Sequence, residues 1–271
     1  LVLLAGINFW AANLAATNFD NIEEILVGGL SPSYFSGAHL TGRTMTIYGD
    51  DERAWPTGRG NQINIRSTID GETVDLSNFV LDASWEADKD NFDIMGRNSG
   101  DEVLIGTSGR DYIYGLKGAD TVTGGDGSDV FKGFDGQNIS VVASAHTFDT
   151  TDDTIAATET ITFATGGVGR VDVITDFVSG TDKLDVTTAA TAPTMLVGLD
   201  STIGLNDGET YVAYGTYDPT TGKFTLAADF DAATAHDALF FEGDGTQTAI
   251  NEQDYHVLTG LNDVLVAADF I

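Results

Sequence analysis

The chain has 271 residues, of which 42 are acidic and 12 basic, so its net charge at pH 7 is −30. This charge makes nucleic acids and anionic membrane surfaces poor partners. The chain contains no cysteine, which excludes both a disulfide framework and a thiolate metal site. Hydrophobic residues make up 42% of the chain, enough for the core of one or two domains. No run reaches the roughly 18 apolar residues of a membrane span.

Residues 1–96 are predicted to form irregular β-structure. Short β-prone runs, separated by Gly, Asn and Asp, occupy residues 22–27, 44–48, 62–65 and 73–76. We expect them to form long, irregular rungs of a coil. The apolar residues 1–16 lack the basic n-region of a signal peptide, so we interpret them as core strands at the cut edge of a larger protein. The acidic clusters at 50–52 and 88–90 are predicted to be solvated turns.

Three nine-residue units follow one another without interruption at residues 106–132. Glycine occupies the first and fourth places of each unit, aspartate the sixth and a large apolar residue the eighth. This is the G-G-x-G-x-D-x-U-x nonapeptide, in which six residues form a turn and three form a short strand. Weaker units flank them at 97–105 and 133–141, with Glu102 and Asn138 at the sixth place.

Successive units are expected on opposite sides of a flattened parallel coil, so that units two apart stack. The stacked pairs are then Glu102 with Asp120, Asp111 with Asp129, and Asp120 with Asn138. These side chains and the turn carbonyls form an oxygen cage that suits Ca²⁺, and we expect about two to four ions. The turn residues in this set occupy the first, third and fourth places: Gly106, Ser108, Gly109, Gly115, Lys117, Gly118, Gly124, Asp126 and Gly127.

The chain after the repeats is predicted to remain β-rich. Residues 142–170 indicate an inserted strand pair or loop, and residues 211–230 a hairpin with a Pro-Gly turn. Residues 171–186 alternate apolar residues with acids around a Ser-Gly turn, which predicts a strand–turn–strand unit with its acids outward. This unit would either cap the coil and contribute ligands to a terminal ion, or be a plain hairpin with solvated acids. Its four acids are Asp172, Asp176, Asp182 and Asp185.

No catalytic motif accompanies these features. The four histidines form neither H-E-x-x-H nor another metal-binding spacing, and the chain has no nucleophile elbow and no phosphate loop. Each carboxylate is better explained as a surface group or a calcium ligand than as a catalytic acid. We therefore expect no catalytic residue in this chain.

Residues 97–271 resemble the C-terminal part of an RTX protein exported by type I secretion. The resemblance rests on the nonapeptides, the segment 171–186, the following hairpin, and the acid-then-apolar ending. It implies export with the C-terminus first, an unfolded chain where calcium is scarce, and folding outside the cell. It also implies that Asp269, Phe270 and Ile271 belong to the export signal read by the secretion machinery. Residues 1–96 resemble, less specifically, the segment before the repeats of RTX-type S-layer proteins.

We therefore predict an all-β fold: a parallel β-roll or β-helix with calcium-binding nonapeptide turns, followed by a β-rich cap. The predicted parts are 1–96, 97–141 and 142–271. The predicted function is that of an S-layer-like or matrix protein of the bacterial cell surface, which associates with itself or with other surface components. Two alternatives remain: the folding and secretion module of an RTX hydrolase, or an RTX adhesin. An adhesin would use exposed tryptophans, among Trp10, Trp55 and Trp85, to stack on sugars.

Overall fold

The computed structural model describes a large part of the chain. The described residues are 2–3, 19–28, 32–49, 60–132, 141–144, 160–163, 171–185, 194–196, 210–227, 236–242, 255–261 and 263–271. The predicted unit 133–141, with Asn138, lies mostly outside them, as do the acidic cluster at 50–52 and the tryptophans Trp10 and Trp55.

Nearly all of the regular structure is β-strand, which confirms the all-β prediction. The helical elements whose full extent is described are α1 (Gly37–Leu40) and a 3₁₀ turn at Ala267–Asp269. The strands of the first half are β1 Val2–Leu3, β2 Glu24–Val27, β3 Ser33–Ser36, β4 Met45–Gly49, β5 Gln62–Arg66, β6 Thr73–Asp75, β7 Phe79–Leu81, β8 Asn91–Met95, β9 Val103–Ile105, β10 Asp111–Tyr114, β11 Thr121–Thr123 and β12 Val130–Lys132. Those of the second half are β13 Val141–Ser144, β14 Thr160–Phe163, β15 Asp172–Ile174, β16 Lys183–Asp185, β17 Thr194–Leu196, β18 Thr210–Asp218, β19 Lys223–Leu226, β20 His236–Glu242 and β21 Tyr255–Leu261.

The chain divides into two compact units. The first consists of residues 1–116 and 122–132, and the second of residues 117–121 and 133–271. The three-part division predicted from the sequence stays a prediction.

The first unit is a coil of parallel strands. Its first sheet runs β1-β2-β4-β7 and its second runs β3-β5-β8-β10-β12, while β6 and β9 pair in a third. The inward side chains stack from rung to rung, as in the row Ile65, Ile94 and Ile113, each fully buried. Because parallel strands place the same face inward on every turn, such rows of apolar side chains form the core.

The rungs become shorter where the nonapeptides begin. Strand β5 pairs Ile65 with Ile94, 29 residues later, and β6 pairs Val74 with Leu104, 30 residues later. Strand β10 pairs Ile113 with Phe131, only 18 residues later. A long rung contributes strands to all three sheets, but none of the described strands after β7 belongs to the first sheet. Two nonapeptides therefore make one complete short rung, as the sequence predicted.

The second unit is built mainly from antiparallel strands. Strands β13, β14, β19, β18, β20 and β21 are neighbours in that order, and β15 adds to β21 in parallel. The predicted hairpin is present as β18 and β19, whose turn is held by Asp218 accepting from the Thr220 N–H and the Thr221 hydroxyl. Side chains such as Val212, Phe224 and Leu239 form its core.

Residues 171–186 do not form a hairpin. Strands β15 and β16 belong to different sheets, so they do not pair with each other across the turn. The predicted outward direction of the acids is wrong for Asp172 and Asp182, which are 0% and 3% exposed, while Val173 is half-exposed. Both acids lie where a turn meets a strand. There the Asp120 N–H donates to the Asp172 carboxylate, and the Val178 N–H donates to the Asp182 carboxylate.

Candidate calcium sites of the stacked turns

The most deeply buried acids of the first unit are Asp111 and Asp129, one above the other in consecutive short rungs. Both are 0% exposed, and the Asp111 N–H donates to Oδ1 of Asp129 at 2.9 Å. Within its own turn, Asp111 accepts hydrogen bonds from the N–H and the hydroxyl of Thr107. Each aspartate thus lies where its turn meets the following strand, with its carboxylate inside the stack.

Backbone carbonyls of one turn face the glycines of the next. A Cβ on Gly125 would collide with the carbonyl oxygen of Thr107, and one on Gly127 with that of Gly109. Gly125 and Gly127 also have φ values of 100° and 128°, a region open mainly to glycine. The missing Cβ atoms therefore let the two turns approach, so that carbonyl and carboxylate oxygens lie near one another.

The electrostatics of this pair favour a bound cation. Burial raises the pKa of Asp111 well above its usual value, and the negative charge of Asp129 raises it further. Two buried like charges are costly unless a counter-charge or a proton neutralises them. The groups at hand are all oxygens, carboxylate and carbonyl, which is the donor set that Ca²⁺ prefers. Calcium would supply the missing positive charge. Asp111, Asp129 and the turn carbonyls would be the groups that hold it.

A third predicted ligand, Asp120, lies in the second unit beside Asp172. The Asp120 N–H donates to Oδ1 of Asp172 at 2.6 Å, and the Val173 N–H donates to the Asp120 carbonyl. Nδ1 of His256 is 3.5 Å from Oδ2 of Asp172. Both aspartates are 0% exposed. Asp120 and Asp172 thus repeat the arrangement of Asp111 and Asp129, with a histidine as an additional neighbour.

Glu102 occupies the corresponding place in a longer rung and is held by backbone donors. Its carboxylate accepts from the N–H groups of Gly71, at 3.0 Å, and Arg97, at 3.1 Å. Burial raises the pKa of Glu102 despite these two hydrogen bonds. The Glu102 carboxylate therefore connects two stacked turns: its own, through the Arg97 N–H, and the preceding one, through the Gly71 N–H.

Two buried acids of the same kind were not predicted. Asp90 is 2% exposed and accepts from the N–H groups of Asn61 and Glu86, at 2.5 and 2.7 Å. Glu72 accepts from the Thr68 N–H and the Ser67 hydroxyl. The prediction that residues 88–90 form a solvated turn is therefore wrong for Asp90, because its carboxylate closes its own turn and joins it to the turn below.

A shorter motif includes these acids, although it also selects the exposed acids Glu23 and Asp263. Each stands two places before a fully or almost fully buried apolar side chain, in the pattern acid-x-apolar. The pairs are Glu72 with Val74, Asp90 with Phe92, Glu102 with Leu104, Asp111 with Ile113, Asp120 with Val122, Asp129 with Phe131, Asp172 with Ile174 and Asp182 with Leu184. The glycines of the nonapeptide mark only the short rungs, whereas this pattern marks short and long rungs alike.

The other predicted residues occupy more open positions. Asp176 and Asp185 are half-exposed. Of the turn residues, Ser108, Lys117, Asp126 and Gly127 are exposed, Gly118 is half-exposed, and Gly106, Gly109, Gly115 and Gly124 are buried. Within the described ranges no three Asp, Glu, His or Cys side chains form a group suited to a metal ion. An ion in these turns would therefore depend on backbone carbonyls as much as on carboxylates.

The predicted export residues are folded against the second unit. Asp269 is 0% exposed and accepts from the Ser179 hydroxyl and from the N–H groups of Gly180 and Val266, at 2.7–2.8 Å. Phe270 lies against the Phe240 ring, and the Ile271 N–H donates to the carbonyl of Leu184. The last residues therefore close the second unit.

A comparison with known protein families found one match, and it covers these turns. The model of the RTX calcium-binding nonapeptide repeat, with four copies, matches residues 97–131. The match includes the imperfect unit that carries Glu102 and ends before Asn138. No curated protein matches the chain. In the described part of the chain, no helix has the length and hydrophobicity needed to cross a membrane.

Proposed function

We propose that the chain, an RTX-type repeat protein that binds calcium, is an extracellular structural protein of a cell surface or matrix. In this proposal it leaves the cell unfolded by type I secretion, and calcium then drives both its folding and its association with other copies. The observation that carries the proposal is the burial of Asp111 and Asp129 in consecutive turns.

In this proposal calcium controls folding because burying these neighbouring carboxylates without an ion costs free energy. Without an ion, the short rungs must bury two neighbouring carboxylates, while each strand of three or four residues contributes little apolar area. With calcium bound, the same carboxylates become ligands, and the free energy of binding becomes free energy of folding. Extracellular sites of calcium-binding modules have dissociation constants of roughly 10⁻⁴–10⁻³ M, so such sites stay empty in the cytosol.

The position of the last residues supports export before folding. Asp269 and Phe270 are buried against the second unit, where a transporter would have no access to them. In this proposal they are accessible only while the chain is unfolded, which is the calcium-poor state inside the cell. Folding would then hide the export segment and make secretion irreversible.

The packing of two histidines and one tryptophan supports a structural role over an enzyme or an adhesin. The His39 ring stacks on Phe19, and the His256 ring stacks on Phe240. Trp85 is 5% exposed and packs against Phe92, which removes it as a sugar-stacking residue. These aromatic and imidazole groups contribute to packing.

The test has two stages on the full chain. Circular dichroism during a calcium titration measures folding, and light scattering with electron microscopy of the calcium-loaded chain measures assembly. We expect β-structure to appear with calcium, followed by sheets or filaments as protein concentration rises. A chain that folds with calcium but stays monomeric at every concentration would contradict the structural role and leave calcium-dependent folding intact.

A further inference from the structure

The turn before the first complete nonapeptide contains an arginine where the nonapeptides have glycine. Residues 97–105 are the first unit of the family match, but Arg97 stands at the first place instead of glycine, and Glu102 at the sixth instead of aspartate. Strands β5 and β6 pair with β8 and β9, so the turns that connect them, residues 67–72 and 96–102, are stacked. We call these two segments the long-rung turns; Arg97 lies in the second of them.

The Arg97 guanidinium connects the long-rung turns through two hydrogen bonds. Its Nε donates to Oδ1 of Asp70 at 2.7 Å, and its Nη1 donates to the carbonyl oxygen of Thr68 at 2.8 Å. A carboxylate and a turn carbonyl are also the two kinds of oxygen that the nonapeptide turns offer to calcium. The guanidinium therefore binds, across two stacked turns, the same types of group that would hold an ion.

Two acids of the long-rung turns approach each other near this guanidinium. A Cβ on Gly100 would lie 2.7 Å from Cβ of Asp70 and 2.7 Å from Oε1 of Glu102. Burial raises the pKa of Glu102 most, the negative charge of Asp70 raises it further, and the positive charge of Arg97 lowers it. Arg97 therefore offsets part of the repulsion between the two acids.

The nonapeptide turns that contain Asp111 and Asp129 direct their only basic side chain, Arg110, elsewhere. The guanidinium carbon of Arg110 lies 4.8 Å from the centre of the Tyr112 ring, and the group donates a hydrogen bond to the Tyr112 hydroxyl. Burial raises the pKa of Asp111, and the negative charges of Asp129 and Asp93 raise it further. The two pairs of stacked turns therefore differ in whether a protein cation lies beside their acids.

We propose that Arg97 takes the place of calcium between the long-rung turns, so that the calcium sites of the coil begin at the first complete nonapeptide, Gly106. The inference rests on the proposed function, since it says which turns calcium must hold for the chain to fold. The guanidinium is present at every calcium concentration, so these two turns need no ion of their own. Glu102 belongs to the matched repeat, but it binds no ion between these two turns.

Removing the guanidinium should open this place to calcium. Asp70, Glu102 and the Thr68 carbonyl would remain as oxygen ligands, which suits a weak calcium site whose coordination water completes. An ion with a dissociation constant of about 5 mM would restore the folding equilibrium constant about fivefold at about 20 mM calcium, and hardly at all at about 1 mM. The stability of an Arg97 variant should therefore depend on calcium more steeply than that of the wild type.

Chemical denaturation of the full chain tests the proposal at about 1 mM and about 20 mM calcium, with ionic strength held constant by potassium chloride. Arg97→Gln removes the charge and keeps a side-chain donor. Relative to the wild type at the same calcium concentration, we expect its folding equilibrium constant to be about fivefold lower at the low concentration and less than about twofold lower at the high one. Arg97→Lys should lose less at low calcium because it keeps the positive charge.

The matched control breaks an arginine–aspartate pair elsewhere in the first unit. Arg43 and Asp20 form this pair at 2.8 Å, and Arg43→Gln removes its charge. The loss in Arg43→Gln should be the same at both calcium concentrations. If Arg97→Gln does not fold at low calcium, circular dichroism follows its β-structure up to about 50 mM calcium, where calcium should restore it and magnesium, which loses its water reluctantly, should not.

Three results would contradict the inference. A loss in Arg97→Gln that is equal at both calcium concentrations would overturn it and leave calcium-induced folding of the wild type standing. The same holds for a recovery that magnesium produces as well as calcium, because screening of charge would then explain it. A wild-type chain whose stability does not depend on calcium would overturn both the inference and the proposed function.

Discussion

The N–H of Asp111 donates to the carboxylate of Asp129, 18 residues later, and both side chains are completely buried. The Asp129 carboxylate thus accepts a hydrogen bond from the stacked turn and also contributes charge to the candidate calcium site. These two roles can be separated by substitution.

Replacing Asp129 by asparagine keeps an oxygen for the Asp111 N–H but removes the charge. We expect Asp129→Asn to raise the calcium concentration at the folding midpoint by about tenfold, since calcium sites are tuned by the charge count of their ligands. Asp129→Ala should have a larger effect because it also leaves a buried donor unsatisfied. Calorimetry and circular dichroism in a calcium titration measure both.

The matched control lies in the same turn. Asp126 is exposed, and Asp126→Asn removes one negative charge without changing the backbone carbonyls. The calcium concentration at its folding midpoint should stay within about twofold of the wild type, as expected for a solvent-screened charge. Equal effects of Asp126→Asn and Asp129→Asn would mean that net charge, and not the buried position, controls calcium binding.

Acid should stabilise the metal-free chain. Burial raises the folded-state pKa values of Asp111, Asp90 and Glu102 above those of the unfolded chain. Their protonated forms therefore favour folding, and this stability is lost as pH rises through the raised pKa values. Metal-free chain should gain β-structure by circular dichroism between pH 7.5 and about 5, where the scan stops above the isoelectric point.

Calcium should reverse this dependence of β-structure on pH. Bound ligands must be deprotonated, so calcium-induced folding should weaken as pH falls over the same range. A metal-free chain whose β-signal decreases toward pH 5 would show that the buried acids keep their charge through partners within the protein.

Close turn stacking should make Gly127 sensitive to a methyl group. Gly127→Ala combines an unfavourable φ of 128° with a collision against the Gly109 carbonyl. Gly42→Ala is the control, because Gly42 has a φ of 68° but its Cβ would meet nothing within 4 Å. Gly42→Ala should cost about 1–2 kcal/mol from the backbone alone. Chemical denaturation with calcium should show a clearly larger loss for Gly127→Ala, and equal losses would contradict the stacking.

The buried carboxylate of Asp269 should hold the last residues in place. Asp269→Ala leaves the Gly180 and Val266 N–H groups without their acceptor and removes one of the two acceptors of the Ser179 hydroxyl. We expect a loss of about 2 kcal/mol or more in stability of the second unit and faster digestion by carboxypeptidase. Asp263→Ala, at an exposed site, should change neither. Unchanged digestion in Asp269→Ala would show that the contacts of Phe270 and Ile271 suffice to hold the segment.

The repeats were predictable because their chemistry is local. Nine-residue spacing fixes which glycines turn and which apolar side chains point inward, so the pairing of Ile113 with Phe131 follows directly from the sequence. The strand positions near 45–49, 62–66 and 73–75 also follow from β-prone runs bounded by turn residues.

The partners of the buried acids could not be predicted in the same way. Asp90 and Asn61 are 29 residues apart and Asp172 is 52 residues from Asp120, so no fixed period connects them. Alternation alone also placed Asp172 outward, although backbone donors at the turn–strand junction draw it inside. Only the three-dimensional stacking of long and short rungs shows which N–H group each acid meets.

The most direct test of the account is the far-UV circular dichroism of the full wild-type chain in excess chelator and after calcium is restored. Buried like charges at Asp111 and Asp129 predict that most of the β-signal is absent with chelator at neutral pH and returns at millimolar calcium. A full β-signal that does not change between excess chelator and millimolar calcium would contradict calcium-dependent folding.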